Sequence, residues 1–199
     1  MSMEGLDAAT RDRLHALIDE GQRVWRRFDE DVRRKNWHPF MPADYESMVN
    51  ALVPLRANEP PGLRFLEWGS ATGVITIAAD MLGFEAYGIE IDEQLVAMAR
   101  DLARTFDSGA RFAAGSFLPD DYVWQDEDGD TRLGTLTTDA ASGYAELGLG
   151  LEAFDLVFGY PWSGEEPVMR DLMKQRAAPH ARLMLTGIGG PRVVEHADL

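Results

Sequence analysis

Apolar side chains recur at helical spacing near the start of the chain. Leu14, Leu17, Ile18, Val24, Trp25, Phe28 and Val32 share one side of a cylinder, which predicts an amphipathic helix over about Asp7 to Lys35. Pro39 and Pro42 interrupt the pattern in NWHPFMPADY. A second short helix is expected from about Asp44 to Leu55, with Tyr45, Met48, Val49 and Leu52 on one side. The segment RANEPPG then reads as a connector.

Beyond Gly62 the pattern changes to short apolar runs alternating with helical periods. LRFLEW, EAYGIEI, ARFAAGS, FDLVFGY and ARLMLTG read as five strands. TGVITIAADML reads as a helix stopped by Gly83, and DEQLVAMARDLARTF as a helix capped by Asp92. EEPVMRDLMKQRAA carries acids in its first turn, where the helix dipole favours them. This alternation predicts a mostly parallel sheet with helices on both faces. The expected division is an N-terminal helical extension over 1–61 and a Rossmann-like domain over 62–199.

A long stretch separates the third and fourth strands, giving an expected insert at about 120–150. Asp128-Gly129 signals a hairpin turn there. Asp126, Asp128 and Asp130 suggest a calcium loop, but the spacing fails. Thr131 and Thr137 stand where such a loop needs glycine and glutamate. An exposed acidic tip is the expectation, and the glycines that follow weaken any helix after it.

Composition narrows the classes of partner. The formal net charge is -15, with 34 acidic against 19 basic residues, so the surface repels phosphate backbones and anionic membranes. Arg23, Arg26, Arg27, Arg33, Arg34 and Lys35 form the best basic cluster, but Asp29, Glu30 and Asp31 lie among them at i,i+4 spacing. A solvated helix face follows, and neither nucleic acid nor membrane is the expected partner. No apolar run approaches the roughly 20 residues of a membrane span. The N-terminus lacks the apolar core of a signal peptide, so a cytoplasmic protein is expected. Cysteine is absent, which removes disulfides and thiolate chemistry. The histidines show no metal-ligand spacing, so no metal site is expected.

The chemistry concentrates at LEWGSATG. In an open parallel sheet, ligands sit beyond the carboxyl ends of the strands. Gly69 and Gly73 allow a tight turn into a helix whose first N–H groups are free, and Ser70 lies inside that turn. A dinucleotide loop wants G-x-G-x-x-G, yet Ala71 holds the second glycine position and Val74 the third. Glu67 would also face two phosphates, and suits a cationic or amine-bearing ligand instead. Glu90 ends the second strand, where a carboxylate can accept from both ribose hydroxyls. Ser116 can meet an adenine edge, and Phe117 can lie on its ring.

FLEWGSATG, YGIEID, FAAGSF and FDLVFGYPW, in this order, resemble the motifs of the class I S-adenosylmethionine-dependent methyltransferases. The resemblance covers about Leu63 to Gly187. It implies that Glu67, Gly69 and Gly73 surround the methionine part of the cofactor. It implies that Glu90 holds the ribose, that Ile91 packs on adenine, and that Ser116 and Phe117 meet the ring. GYPW would line the transferred methyl, with Tyr160 and Trp162 as an aromatic wall. Amine-directed members carry Asp or Asn where this chain has Gly159, so amino-base methylation is disfavoured.

The implied fold is a Rossmann-like three-layer sandwich with N-terminal helices and a C-terminally shortened methyltransferase core. Ile188–Leu199 is too short for the usual closing helix and strand pair. The fifth strand is then expected at an edge, covered by the N-terminal helices, the insert or a second copy in a homodimer. Tyr160, His38 and Tyr45 are the candidates for a chemical role. Methyl transfer to a small-molecule acceptor is the expected activity. The alternatives are a non-catalytic methyltransferase-like module that binds cofactor or a protein partner, and an NAD-dependent oxidoreductase.

Overall fold

Six strands form one sheet in the computed structural model, which describes residues 3–33, 41–57, 59–124, 140–162, 164–187 and 189–199. Strands β1 (Arg64–Trp68), β2 (Glu85–Glu90), β3 (Arg111–Ala114), β4 (Leu156–Gly159) and β5 (Arg182–Leu185) run parallel. Their order is β3-β2-β1-β4-β5-β6. The chain therefore winds outward from β1 to β3, then returns to place β4 on the other side of β1. That reversal opens a crevice at the carboxyl ends of β1 and β4. The register aligns those ends, because Trp68 lies opposite both Ile89 and Gly159. Phe65, Leu66, Val157, Phe158, Leu183 and Met184 are all buried, as strands covered on both faces require.

Helices α1 (Ala8–Phe28), α2 (Tyr45–Ala57), α3 (Val74–Met81) and α4 (Glu93–Thr105) cover one face. Leu14 and Leu17 of α1 and Met48 and Leu52 of α2 join the same core as Phe65, Val74, Ile77 and Phe112. Short α5 (Tyr144–Leu147), the 3-10 turn Leu151–Ala153 and α6 (Glu166–Arg176) cover the other face. There Tyr144, Phe154, Met169 and Leu172 pack with Trp68, Tyr87 and Ile89.

Local chemistry sets the helix ends. Asp7 caps α1 by accepting from the Thr10 N–H at 2.9 Å. Asp44 accepts from the Ser47 N–H at 3.1 Å, in the first turn of α2. Asp92 accepts from the Gln94 N–H at 2.7 Å and begins α4. After Phe28 the backbone widens into a π-helical turn at Asp29–Arg33, so the expected α register does not continue through the charged segment. The anticipated hairpin tip and its acidic triplet lie outside the described residues. The described start of the insert is fastened to α6, where Tyr122 donates to Asp171 at 2.7 Å and Arg176 pairs with Asp121 at 3.0 Å.

The C-terminus corrects one expectation. The final residues do supply a strand: β6 (Arg192–Val194) runs antiparallel to β5, with Leu183 opposite Val194 and Leu185 opposite Arg192. The fifth strand is therefore not an edge, and it needs no second copy to cover it. Three residues suffice because Val194 reaches the core beside Leu183, while the Gly-Pro segment before it makes the reversal. Among the described residues, no helix is long and apolar enough to cross a membrane.

Candidate functional site

The loop between β1 and α3 is built around two strands at once. Gly69 and Ser70 donate their N–H groups to the Ile89 carbonyl of β2, at 2.9 and 3.0 Å. Gly73 donates to the Ser70 carbonyl at 2.7 Å and closes the turn. Gly73 has φ +78°, and a Cβ there would lie 2.6 Å from the Phe112 ring and 2.9 Å from Ala99. Its lack of a side chain lets α3 pack closely on β3 and α4. The side chain of Ser70 in turn sits over Gly88, where a Cβ would fall 2.6 Å from the Ser70 hydroxyl.

Ala71 adopts φ +46°, left-handed backbone that costs a non-glycine residue about 1–2 kcal/mol. Its N–H points at Glu90 Oε2, 2.8 Å away. The other oxygen, Oε1, accepts from the Asp92 N–H at 3.0 Å. Glu90 thus clamps the loop to the end of β2 and opens α4. Burial pushes its carboxyl upward, opposed by the N–H groups of Asp92, Ala71 and Ile91. A carboxylate has about four acceptor positions, so these two bonds leave capacity for ribose hydroxyls. Ile91, next in line, is 45% exposed, an apolar surface at the rim available to a planar ring.

Glu67 sits deeper, at the end of β1. Its Oε2 accepts from both the N–H and the hydroxyl of Thr76, in the first turn of α3. Burial pushes the Glu67 carboxyl up to about 8, against the two Thr76 hydrogen bonds, and the Glu90 charge adds to the rise. At neutral pH it therefore holds a proton for much of the time. A cation placed beside it would release that proton and restore the carboxylate.

An open cleft adjoins Glu67. Gly69, Ser70, Ala71 and Thr72 of the loop line it, with Tyr45 of α2 and with Phe158 and Tyr160 at the end of β4. Two hydroxyls on this wall, Tyr45 Oη and Thr72 Oγ1, are buried side by side without a well-formed hydrogen bond, while the equally buried Ser70 Oγ faces Gly88. Burying an unpaired hydroxyl costs roughly 1–3 kcal/mol. Two such hydroxyls beside an acid fit a ligand end that carries both ammonium donors and carboxylate acceptors. A pyrophosphate fits poorly, because two acids, Glu67 and Glu90, flank the turn and none of the described residues lining the cleft is Lys or Arg. The residues present therefore match a sulfonium cofactor with a free amino-acid end.

The structure gathers Glu67, Gly69, Ser70, Gly73, Glu90 and Ile91 around the end of β1, and adds Tyr45 and Tyr160 to the same cleft. Ser116 and Phe117 follow β3. The Ser116 hydroxyl already accepts from the Leu118 N–H at 3.1 Å, and Phe117 stacks on Trp68 with ring centres 5.0 Å apart. One face of Phe117 is thus committed to packing. Trp68 itself is buried and donates to the Tyr144 hydroxyl at 2.9 Å, a packing role. His38 lies outside the described residues. Tyr160 and Trp162 are 39% and 37% exposed, an aromatic surface at the mouth. A side chain at Gly159 would meet Met169 Sδ at 2.7 Å, so the place of the amine-binding Asp or Asn is filled by thioether. Among the described residues no cluster of His, Asp and Glu could hold a metal.

Thr72, Thr76 and Gly88 escape a reading of the sequence. Glycine inside a strand signals a close approach, which would have pointed to Gly88. Thr72 and Thr76 stand out only once Glu67 and Tyr45 are seen to face them.

No family model matches the chain. It is 25% identical over 144 residues to the ribosomal protein L11 methyltransferase of Thermus thermophilus, a match spanning 72% of this chain and 46% of that protein. The chain thus spans less than half the length of this curated relative. Among solved structures it resembles an RNA methyltransferase of Salinibacter ruber, in complex with S-adenosyl-L-homocysteine. The TM-score is 0.51 at 18% identity, covering 73% of this chain and 76% of that one. The strand order, the switch-point cleft and this likeness agree on the fold: a Rossmann-like three-layer α/β sandwich like that of the Salinibacter ruber methyltransferase.

Proposed function

We propose that this protein transfers a methyl group from S-adenosylmethionine to a small-molecule acceptor. One observation carries the cofactor reading: a buried acid, Glu67, and the adjacent buried hydroxyls of Tyr45 and Thr72 meet at the cleft beside the β1 loop. When bound, the cofactor supplies a methyl already activated on a sulfonium. Glu67 would accept from its ammonium group, and Glu90 would accept from its ribose hydroxyls. Tyr160, on the β4 side of the same cleft, would face the acceptor. Transfer of this kind draws its rate from holding the nucleophile in line with the methyl. The Tyr45 phenol is pushed far above its ordinary range by burial, so it is a hydrogen-bond donor and not a base. The acceptor then attacks with a lone pair of its own.

The net charge of -15 supports a small molecule over RNA, since an acidic surface repels a phosphate backbone. The exposed Tyr160 and Trp162 supply planar apolar faces suited to a small organic or cationic acceptor. The relatives named above act on a protein or on RNA, so those acceptors belong in the same assay. Turnover with labelled methyl donor over small amines, alcohols and acids, ribosomal protein and RNA decides between them. Transfer confined to RNA or protein would overturn the small-molecule reading.

A second reading is a cofactor-binding module without turnover. It draws on Gly159, whose missing amine-binding side chain is replaced in space by Met169. Cofactor binding with no methyl transfer to any acceptor class would favour it.

A further inference from the structure

We infer that Tyr45, from the helix preceding the sheet, makes the cleft selective for a ligand that carries a carboxylate at its inner end. The inference rests on the cofactor reading above and deepens it. Tyr45 lies at the start of α2, and three elements fix its ring. Gly21 of α1 permits the approach: a Cβ there would fall 3.4 Å from Tyr45 Cε2 and 2.5 Å from Val74 Cγ2. Val74 begins α3, directly after the glycine loop. Asp44 anchors the first turn of α2 through Ser47. The ring is 6% exposed, so its position is set by packing and not by solvent.

Its hydroxyl, by contrast, has no group beside it among the described residues but the Thr72 hydroxyl to take its proton. Tyr45 Oη and Thr72 Oγ1 are buried side by side on the cleft wall, close enough for the threonine hydroxyl to act on the phenol, and neither makes a well-formed hydrogen bond. Glu67 is near enough for its charge to act on the phenol. These groups divide the work by chemistry. A carboxylate at Glu67 can only accept, so it takes the ammonium of an amino-acid end. The protonated Tyr45 hydroxyl donates, and the Thr72 hydroxyl beside it can donate as well. Together they complete the recognition of a carboxylate next to that ammonium. A hydrogen bond from a neutral donor to a buried charged acceptor contributes about 1.5–3 kcal/mol, or roughly 10- to 150-fold in affinity. The N-terminal helices thus contribute a donor as well as a cover, and the donor reads the end of the cofactor farthest from its base.

The test compares two ligands on one variant. S-adenosylhomocysteine carries the amino-acid end, and 5′-methylthioadenosine lacks it. Calorimetric titration of the full chain and of Tyr45→Phe gives both affinities. Tyr45→Phe should weaken S-adenosylhomocysteine about 10-fold or more and leave 5′-methylthioadenosine within about twofold. Thr72→Val should show the same asymmetry in a second background. Equal loss for both ligands would mean that Tyr45 only shapes the fold, and would overturn the inference. So would no loss for either. Wild-type protein that binds neither ligand would remove the cofactor reading itself. Wild-type binding without ligand-dependent loss in the variants would remove only the role of Tyr45.

Discussion

The carboxylate of Glu90 holds the N–H of Ala71 at 2.8 Å, across the gap between the end of β2 and the loop after β1. This single bond fixes a left-handed alanine at φ +46° in the middle of the turn between β1 and α3. Glu90 therefore has a structural task before any ligand arrives. Loss of binding in Glu90→Ala would not by itself identify a ribose contact. Glu90→Ala should lower stability by about 1 kcal/mol in urea unfolding, because two half-buried N–H groups lose their acceptor. The ribose contact needs a ligand-side test: wild-type protein should bind S-adenosylhomocysteine about 10-fold more tightly than its 2′-deoxy analogue. Equal affinities would remove Glu90 from the ribose.

Binding should release protons near neutral pH. The folded-state carboxyl of Glu67 sits at about 8, well above its ordinary value, and Glu90 is shifted in the same direction. For an acid so raised, the folded state binds the extra proton. That stabilisation is complete below the unfolded value and fades as pH rises through the folded one. The ligand-free protein should therefore lose stability between about pH 5 and pH 8. Glu67→Gln should flatten part of that decline. A ligand ammonium beside Glu67 lowers its pKa, so titrations at pH 7 in buffers of differing ionisation enthalpy should report proton release. Glu67→Gln should abolish most of it, and an unchanged release would place the proton elsewhere.

Gly21 should be sensitive although it lies outside the cleft. A methyl there must displace Val74 Cγ2, 2.5 Å away, and Val has little rotamer freedom in a helix. Overpacking costs about 1–3 kcal/mol, while alanine returns about 1 kcal/mol of helix propensity. Gly21→Ala should therefore be destabilised by about 1 kcal/mol and should bind S-adenosylhomocysteine more weakly through its effect on Tyr45. Thermal unfolding and calorimetry on the same sample check both halves.

The Trp68–Tyr144 bond offers a contrast. Tyr144→Phe leaves the buried Trp68 Nε1 without its acceptor at 2.9 Å. Stability should fall by about 1–3 kcal/mol, with cofactor affinity unchanged. A large loss of affinity would show that the Trp68–Phe117 stack transmits strain to the site.

Much of this was legible from residue order alone. The five parallel strands fall where the apolar runs stand, because strands buried on both faces need such runs. The places of Glu67 and Glu90 near or at strand ends and of Gly73 in the turn were legible, because a tight strand-to-helix turn needs glycine at fixed places. β6 was not. Arg192–Val194 is too short to show a period, and it becomes a strand only because β5 offers an open edge. Tyr45 was half legible: helical spacing assigns its ring to the core, which is right, but spacing cannot say where the hydroxyl ends. Thr72 and Thr76 depend on the fold bringing β1, α2 and α3 together, which no local pattern carries.

Calorimetric titration of the intact protein with S-adenosylhomocysteine, and in parallel with NAD, tests the central claim most directly. The account predicts saturable binding of S-adenosylhomocysteine at one site per chain and no heat from NAD. Absence of S-adenosylhomocysteine binding, or equal binding of NAD, would contradict it.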